Sequence, residues 1–256
     1  MYDDEYSQSI VPTSAAFSTP ENKGKNGEIV SSIAELLAES RSVESCTVTS
    51  LPLPREWYKH PKLCIAIEQL LTAEECTALI EHTESKGYDR ALLNVGGGKE
   101  ILATDIRNSD RCIIDDEGIT RLIWGRIRAA LKESRIPHSW AKFETAVGLN
   151  ERLRFLRYDP GGYFAPHYDG HFTYESTEHP WYGFTTYVTC QIYLNEGFEG
   201  GGTTFLDPSY VANEGVTWTP KTGSVLLFEH AMLHAGDLLV KGRKYAVRTD
   251  VVYGEM

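Results

Sequence analysis

The sequence predicts an α+β fold, mainly β, in which helices near the N-terminus support one face of a double-sheet jelly roll. Three observations carry that expectation. Two helical apolar stripes precede residue 135, and after residue 143 the texture turns to short strands punctuated by Gly and Pro. With 256 residues, 41% of them hydrophobic, the chain can also bury one sizeable core.

Residues 1–28 are rich in Ser, Thr, Asn, Lys and Glu and show almost no apolar periodicity, so residues 1–50 are expected to form a disordered acidic tail. Within it, Ile29 to Ser40 (IVSSIAELLAES) has the spacing of one short amphipathic helix, either transient or a docking element. The folded domain is expected over residues 51–256. Leu63 to Glu68 (LCIAIE) reads as a strand. Thr72-Ala73-Glu74-Glu75 is a capping box, followed by Cys76, Leu79, Ile80 and Thr83 on one helical face until Gly87 stops the helix. A second helix is predicted after Asp115, where Ile119, Leu122, Ile123, Ile127 and Leu131 form a stripe that packs against a sheet. Strands are predicted at 151–158, 163–168, 186–194, 203–206, 223–228 and 244–253. Gly96-Gly97-Gly98 lacks the Lys-Ser/Thr of a phosphate loop and reads as a flexible loop.

Charge narrows the range of partners. There are 25 Lys and Arg against 36 Asp and Glu, a net charge of −11, and three basic and eight acidic residues within positions 1–50 place −5 of it in the tail. The remainder is mildly acidic with no basic stripe, which argues against a nucleic-acid partner. The five cysteines (Cys46, Cys64, Cys76, Cys112, Cys190) share no close spacing and read as reduced thiols. No apolar run approaches a membrane span, and Met1-Tyr2-Asp3-Asp4-Glu5-Tyr6 does not resemble a secretory leader, so a cytoplasmic or nuclear location is expected.

The chemistry gathers around His167-Tyr168-Asp169. Residues at i and i+2 on an extended strand share a face, so His167 and Asp169 can grip one metal ion. A distal histidine completes a 2-His-1-carboxylate set with open positions, the pattern of non-heme Fe(II) oxygenases. The candidates are His230 and His234, and His234 is favoured because Lys244 follows it across a turn that feeds the last strand. Lys244 is read as the anchor for the far carboxylate of an oxo-acid co-substrate. Arg248, on the same strand face by period two, is the fallback.

These residues stand in a longer pattern: RYDPGGYFAPHYDG, then TCQIYLNEGFEGGGTTF, then GSVLLFEHAMLHAGDLLVKGRKYAVRTDVVY. In order and spacing, residues 152–253 resemble the catalytic core of prolyl 4-hydroxylase-type Fe(II)/2-oxoglutarate dioxygenases. The resemblance implies a double-stranded β-helix with iron on His167, Asp169 and His234, and Lys244 on the 2-oxoglutarate C5 carboxylate. It further places Tyr158 in the co-substrate pocket, Tyr193 against the same carboxylate, and Thr204 on a strand beside the metal. The cofactors it implies are Fe(II), 2-oxoglutarate, O2 and ascorbate as reductant. The implied reaction hydroxylates an unactivated C–H bond, most readily of a prolyl or other residue in a peptide or protein, with release of succinate and CO2. A free amino acid or other small metabolite is the alternative substrate. More distant alternatives are a zinc-dependent hydrolase, which would have no use for Lys244, and a non-catalytic binding module. Gly170 to Thr185 is long and aromatic enough for a lid carrying His171, His179, Trp181 and Tyr182. Arg152 and Arg154 face either a substrate groove or solvent.

Overall fold

The computed structural model describes residues 33, 35–38, 45–94, 99–134, 143–209 and 215–254. Residues 1–28 and the Gly96-Gly97-Gly98 loop lie outside that set. Two antiparallel sheets face one another. The larger has nine strands, with Thr47–Ser50, Cys64–Glu68, Val225–Glu229, Thr185–Tyr193, Lys244–Tyr253, Arg152–Tyr158, Asp110–Asp115 and Asp89–Arg90 as successive neighbours. Ala146–Leu149 pairs with the far half of Lys244–Tyr253. The smaller sheet runs Val216–Trp218, Thr203–Phe205, His234–Gly236, Tyr163–His167 and Arg107–Asn108. This is the predicted mainly β jelly roll.

Period-two alternation divides the large sheet into two faces. Leu153 and Phe155, Val188, Cys190 and Ile192, and Val247 and Val251 project outward, where they pack with residues of the two helices in the main core. The inward rows begin a second core, in which Cys64, Ala66, Tyr193, Leu226, Phe228 and Ala246 meet Phe205 of the small sheet.

The helix Ala73–Lys86 starts as predicted: Glu75 N donates to Thr72 Oγ1 at 3.1 Å, and Thr72 N donates to the Glu75 carboxylate at 2.7 Å. It stops at Gly87, whose φ of 88° belongs to the region that favours glycine. Asp116 caps the helix Glu117–Glu133 by accepting from Ile119 N at 2.8 Å. That helix buries Ile119, Ile123, Ile127 and Leu131, and Trp124 besides. The two helices are joined by a buried fork, with Arg126 Nη2 2.7 Å and Nη1 2.9 Å from the two oxygens of Glu75. The same guanidinium donates to the carbonyls of Leu70 and Leu37.

The structure moves the start of ordered packing to before residue 51. Thr47–Ser50 is a strand on the edge of Cys64–Glu68. Ile33 and Leu37, from the segment read as a tail, are buried in the main core. A four-residue strand, TVTS, gives too short a pattern for sequence periodicity to register. The strand Asp110–Asp115 was likewise not anticipated. Among the described residues no helix is long and apolar enough to cross a membrane.

Replacing Arg126 with Met strands a carboxylate in the core. Removing one member of a buried pair typically costs about 3–5 kcal/mol. Urea unfolding of Arg126→Met should show a loss of that order, and a stability equal to the parent's would remove the fork from the account.

Candidate metal and co-substrate site

His167 ends one strand of the small sheet and His234 begins the next, and the two are direct antiparallel partners. Their ring centroids lie 4.3 Å apart. Each imidazole is oriented by a carbonyl two residues earlier, with His167 Nδ1 2.8 Å from Ala165 O and His234 Nδ1 2.9 Å from Met232 O. A carbonyl can only accept, so each Nδ1 carries the proton and each Nε2 presents a lone pair. Phe164 stacks on His167 at 3.6 Å, and Phe228 meets His234 edge-on at 4.6 Å. Asp169 follows the first strand, its amide donating to His230 O at 3.1 Å. Its two oxygens each lie 3.7 Å from one Nε2. One ligand atom from each of the three residues falls within 4.8 Å of the others.

The protonation states suit a divalent ion. Burial, reinforced by His234, depresses the His167 imidazole to about 3 despite Asp169 nearby. Burial lowers His234 as well. Burial pushes the Asp169 carboxyl up, but the Arg248 guanidinium, followed by the two histidines, holds it well below the usual carboxylate range. At neutral pH the set is therefore two neutral imidazoles and one carboxylate. Arg248 Nη1 lies 2.9 Å from Asp169 Oδ1, and the Thr189 hydroxyl donates to Oδ2. These two contacts fix how the carboxylate is presented. The donor set fits Fe(II), with coordination positions left open.

Lys244 occupies the other end of the cavity. Its ammonium donates to Gly201 O at 2.6 Å and sits 5.2 Å and 5.5 Å from the ring centroids of Tyr158 and Tyr193. Burial draws its pKa down to about 8, although Asp237 works in the opposite direction. Among the described residues no carboxylate forms an ion pair with it. Gly201 has a φ of 65°, and a Cβ there would come within 3.3 Å of the Lys244 side chain, so glycine is needed both for conformation and for approach. The Tyr193 hydroxyl is held 2.7 Å from Thr203 Oγ1.

Register explains the lining. Across the large sheet, Lys244 pairs with Tyr158, Ala246 with Leu156, and Arg248 with Arg154, so all six inward residues project into one cavity. Arg154 thus faces the cavity, while Arg152 forms an exposed ion pair with Asp115 at 2.9 Å. His230 is not in the triad: it is buried, with Nε2 3.3 Å from Asp250 Oδ1. Thr204 requires correction. Its hydroxyl bonds to Thr217 and Asp237, 2.7 and 2.8 Å away, whereas its neighbour Thr203 lines the cavity. The lid residues also lie elsewhere. His179 and Trp181 pack on Tyr174, Trp181 also covers Gly148, and His171 sits against Tyr187 and His230. None of His171, His179, Trp181 and Tyr182 lines the cavity. Sequence reasoning missed Arg107, Gln191 and Thr203, which do line it. Gln191 shares a strand face with Tyr193 and was within reach of a parity argument, whereas Thr203 lies on a three-residue strand too short for one. Arg107 lies on a two-residue strand that carries no periodic signal.

Residues 153–249 match the family model described as the 2OG-Fe(II) oxygenase superfamily. The chain carries a 2OG-Fe(II) oxygenase domain. Its enzyme class is accordingly a 2-oxoglutarate/Fe(II)-dependent dioxygenase. No curated protein matches the chain. Among solved structures, the oxygenase is similar to the viral collagen prolyl hydroxylase of Paramecium Bursaria Chlorella virus-1 in its 2OG complex, with 22% identity, 74% of this chain and 96% of that one covered, and a TM-score of 0.49. A Pseudomonas putida prolyl-4-hydroxylase has 15% identity, coverage of 89% and 100%, and a TM-score of 0.47. A Trichoplax adhaerens prolyl hydroxylase in complex with a hypoxia inducible factor peptide fragment has 13% identity, coverage of 89% and 93%, and a TM-score of 0.49.

Metal binding should follow the ligand geometry. With Mn(II) as a redox-stable probe, calorimetry should show binding to the parent oxygenase and none to His167→Ala. Thr189→Val keeps the shape but removes the hydroxyl from Asp169, and such supporting contacts are worth about 10- to 100-fold in affinity. Parent-like Mn(II) binding by His167→Ala would refute the ligand assignment.

Proposed function

We propose that this oxygenase hydroxylates an unactivated C–H bond of a prolyl or other residue in a peptide or protein, consuming 2-oxoglutarate and O2 and releasing succinate and CO2. The observation that carries the co-substrate part is Lys244, a buried ammonium with no carboxylate partner among the described residues, at the end of a cavity whose other end is the His167, Asp169 and His234 set. A buried charge without a counter-ion is costly, and a bound carboxylate would relieve it. In this reading Lys244 takes the C5 carboxylate, with Tyr193 and Thr203 as hydroxyl partners and Tyr158 as the facing wall. Arg248 stays with Asp169 and is not the C5 anchor.

When bound, Fe(II), 2-oxoglutarate and O2 supply the oxidising equivalent, and ascorbate serves as the reductant that keeps the metal ferrous. The protein binds, orients and excludes water. Leu156, Phe164, Phe228 and Ala246 form the apolar part of the cavity wall, limiting solvent around the reacting carbon. The peptide reading is supported by the resemblance of residues 152–253 to prolyl 4-hydroxylases. It is further supported by Tyr168, which lies between His167 and Asp169 in the chain, is exposed and offers aromatic surface to a bound peptide.

The direct test is succinate formation from 2-oxoglutarate with Fe(II) and ascorbate, with and without proline-containing peptides, together with a mass gain of one oxygen atom on the peptide. Succinate that rises with peptide but leaves its mass unchanged would sink the hydroxylase reading. Lys244→Ala should raise the 2-oxoglutarate KM by about 10- to 100-fold, the worth of one charge-assisted bond. If Arg248→Ala did so and Lys244→Ala did not, the anchor would be Arg248. The pH profile is a separate check. With a free-enzyme pKa of about 8, Lys244 loses its charge as pH rises, so 2-oxoglutarate binding should weaken by roughly tenfold per unit above that value. A flat affinity from pH 7 to 10 would exclude a titrating Lys244 as the anchor.

A further inference from the structure

The cavity holds more positive charge than the co-substrate uses. Arg107, Arg154, Lys244 and Arg248 line it, and among the described residues Asp169 is the only acidic one in the wall. Lys244 lies four residues from Arg248 along one extended strand, about 13 Å between Cα atoms, so the arginines form a separate group at the metal end. There, Arg107, Arg154 and Arg248 face Asp169, with Asp250 directly behind. Asp250 is contested: Arg248 reaches one oxygen at 3.2 Å, His230 the same oxygen at 3.3 Å, and Arg154 the other at a long 3.4 Å. Arg107 has even less. Its Nε donates to Ser109 Oγ at 3.1 Å and its guanidinium lies 4.8 Å over the Phe164 ring, but no carboxylate pairs with it among the described residues.

A dication at the triad would add to this field, and the one co-substrate carboxylate near the metal would offset only part of it. Arg248 is already committed to Asp169. Arg107 and Arg154 remain, on opposite sheets, each interacting with Arg248 and Asp169. Burial lowers the pKa of both guanidinium groups, the sign of cations held in poorly solvated surroundings without adequate compensation. A purely structural arginine at such a site would be expected to have a full carboxylate partner, as Arg126 has in Glu75.

We propose that Arg107 and Arg154 bind a carboxylate of the substrate, so that the oxygenase selects a target carbon with an acidic group close by. This rests on the hydroxylase reading above and narrows its substrate class. The carboxylate belongs either to an acidic side chain beside the target residue or to the α-carboxylate of a free amino acid. Two guanidinium forks on opposite walls suit a planar anion held between them.

The test compares blocked peptides that differ only in Pro-Glu against Pro-Gln, with free L-proline against L-prolinamide as a second pair. Hydroxylation should favour the acid over its amide by at least about tenfold in kcat/KM, as expected for a charge-assisted pair. Preference within the peptide pair assigns the carboxylate to a side chain, and preference within the proline pair assigns it to a free amino acid. Arg107→Gln and Arg154→Gln should each collapse the preference towards unity, and Arg→Lys at either position should restore part of it. Saturation-transfer NMR of the same pairs on the metal-free protein gives a binding readout independent of turnover and should show the same order. Equal use of acid and amide in both pairs, or a preference untouched by both Gln variants, would overturn the proposal. A stronger preference for a Pro-phosphoserine peptide over Pro-Glu would overturn its carboxylate identity. If no substrate is hydroxylated, the underlying reading fails, while the NMR order still decides the charge selectivity.

Discussion

The pleat of the Lys244–Tyr253 strand is the constraint on which the site depends. This strand sits between Thr185–Tyr193 and Arg152–Tyr158 and shares its far half with Ala146–Leu149. Its inward row is Lys244, Ala246, Arg248 and Asp250, and Val247 and Val251 on the other side enter the helix-backed core. A register slip of one residue would bury the charges under the helices and turn the valines into the cavity. The apolar packing of the outward row therefore holds the polar row in place. Stability and function are two sides of the same backbone.

A second dependence is electrostatic. Asp169 would resist ionisation at its depth without Arg248, and Arg248 is positioned in turn by Asp250, which also meets His230. The metal-binding carboxylate is thus one end of a buried chain of charges. His230, a rival for the metal by sequence alone, belongs to the back of that chain. It contributes through its carbonyl, which accepts from the Asp169 amide, and through its ring on Asp250.

Legibility followed the length of the periodic signal. Long elements announced themselves: the capped helices, the strands at 152–158, 185–193 and 244–253, and the ligand trio whose spacing spans two of the strands in the small sheet. Short ones did not. Thr203–Phe205 has three residues, and nothing in so brief a run says whether Thr203 or Thr204 faces inward, which is why the wrong threonine was expected at the cavity. Arg107 lies on two strand residues in a stretch of mixed polarity, so its arrival in the cavity with His167, Asp169 and His234 is a product of tertiary folding alone. The aromatic-rich insertion after Asp169 had the composition of a lid, but its rings find partners in one another and in Gly148, and local packing outweighed contact with the cavity. Glu75 and Arg126 lie 51 residues apart, beyond any local rule that could pair them.

The edge strand Thr47–Ser50 has one more consequence. It covers the open hydrogen-bonding side of Cys64–Glu68, whose sequence CIAIE is apolar, β-prone and carries one charge. A chain begun at Leu51 would keep the catalytic residues but bare that side, a template for pairing with another molecule. The TVTS strand acts as a polar selvage on the sheet, so the N-terminal segment bears on solubility even though it stands on the far side of the large sheet's order from Arg152–Tyr158.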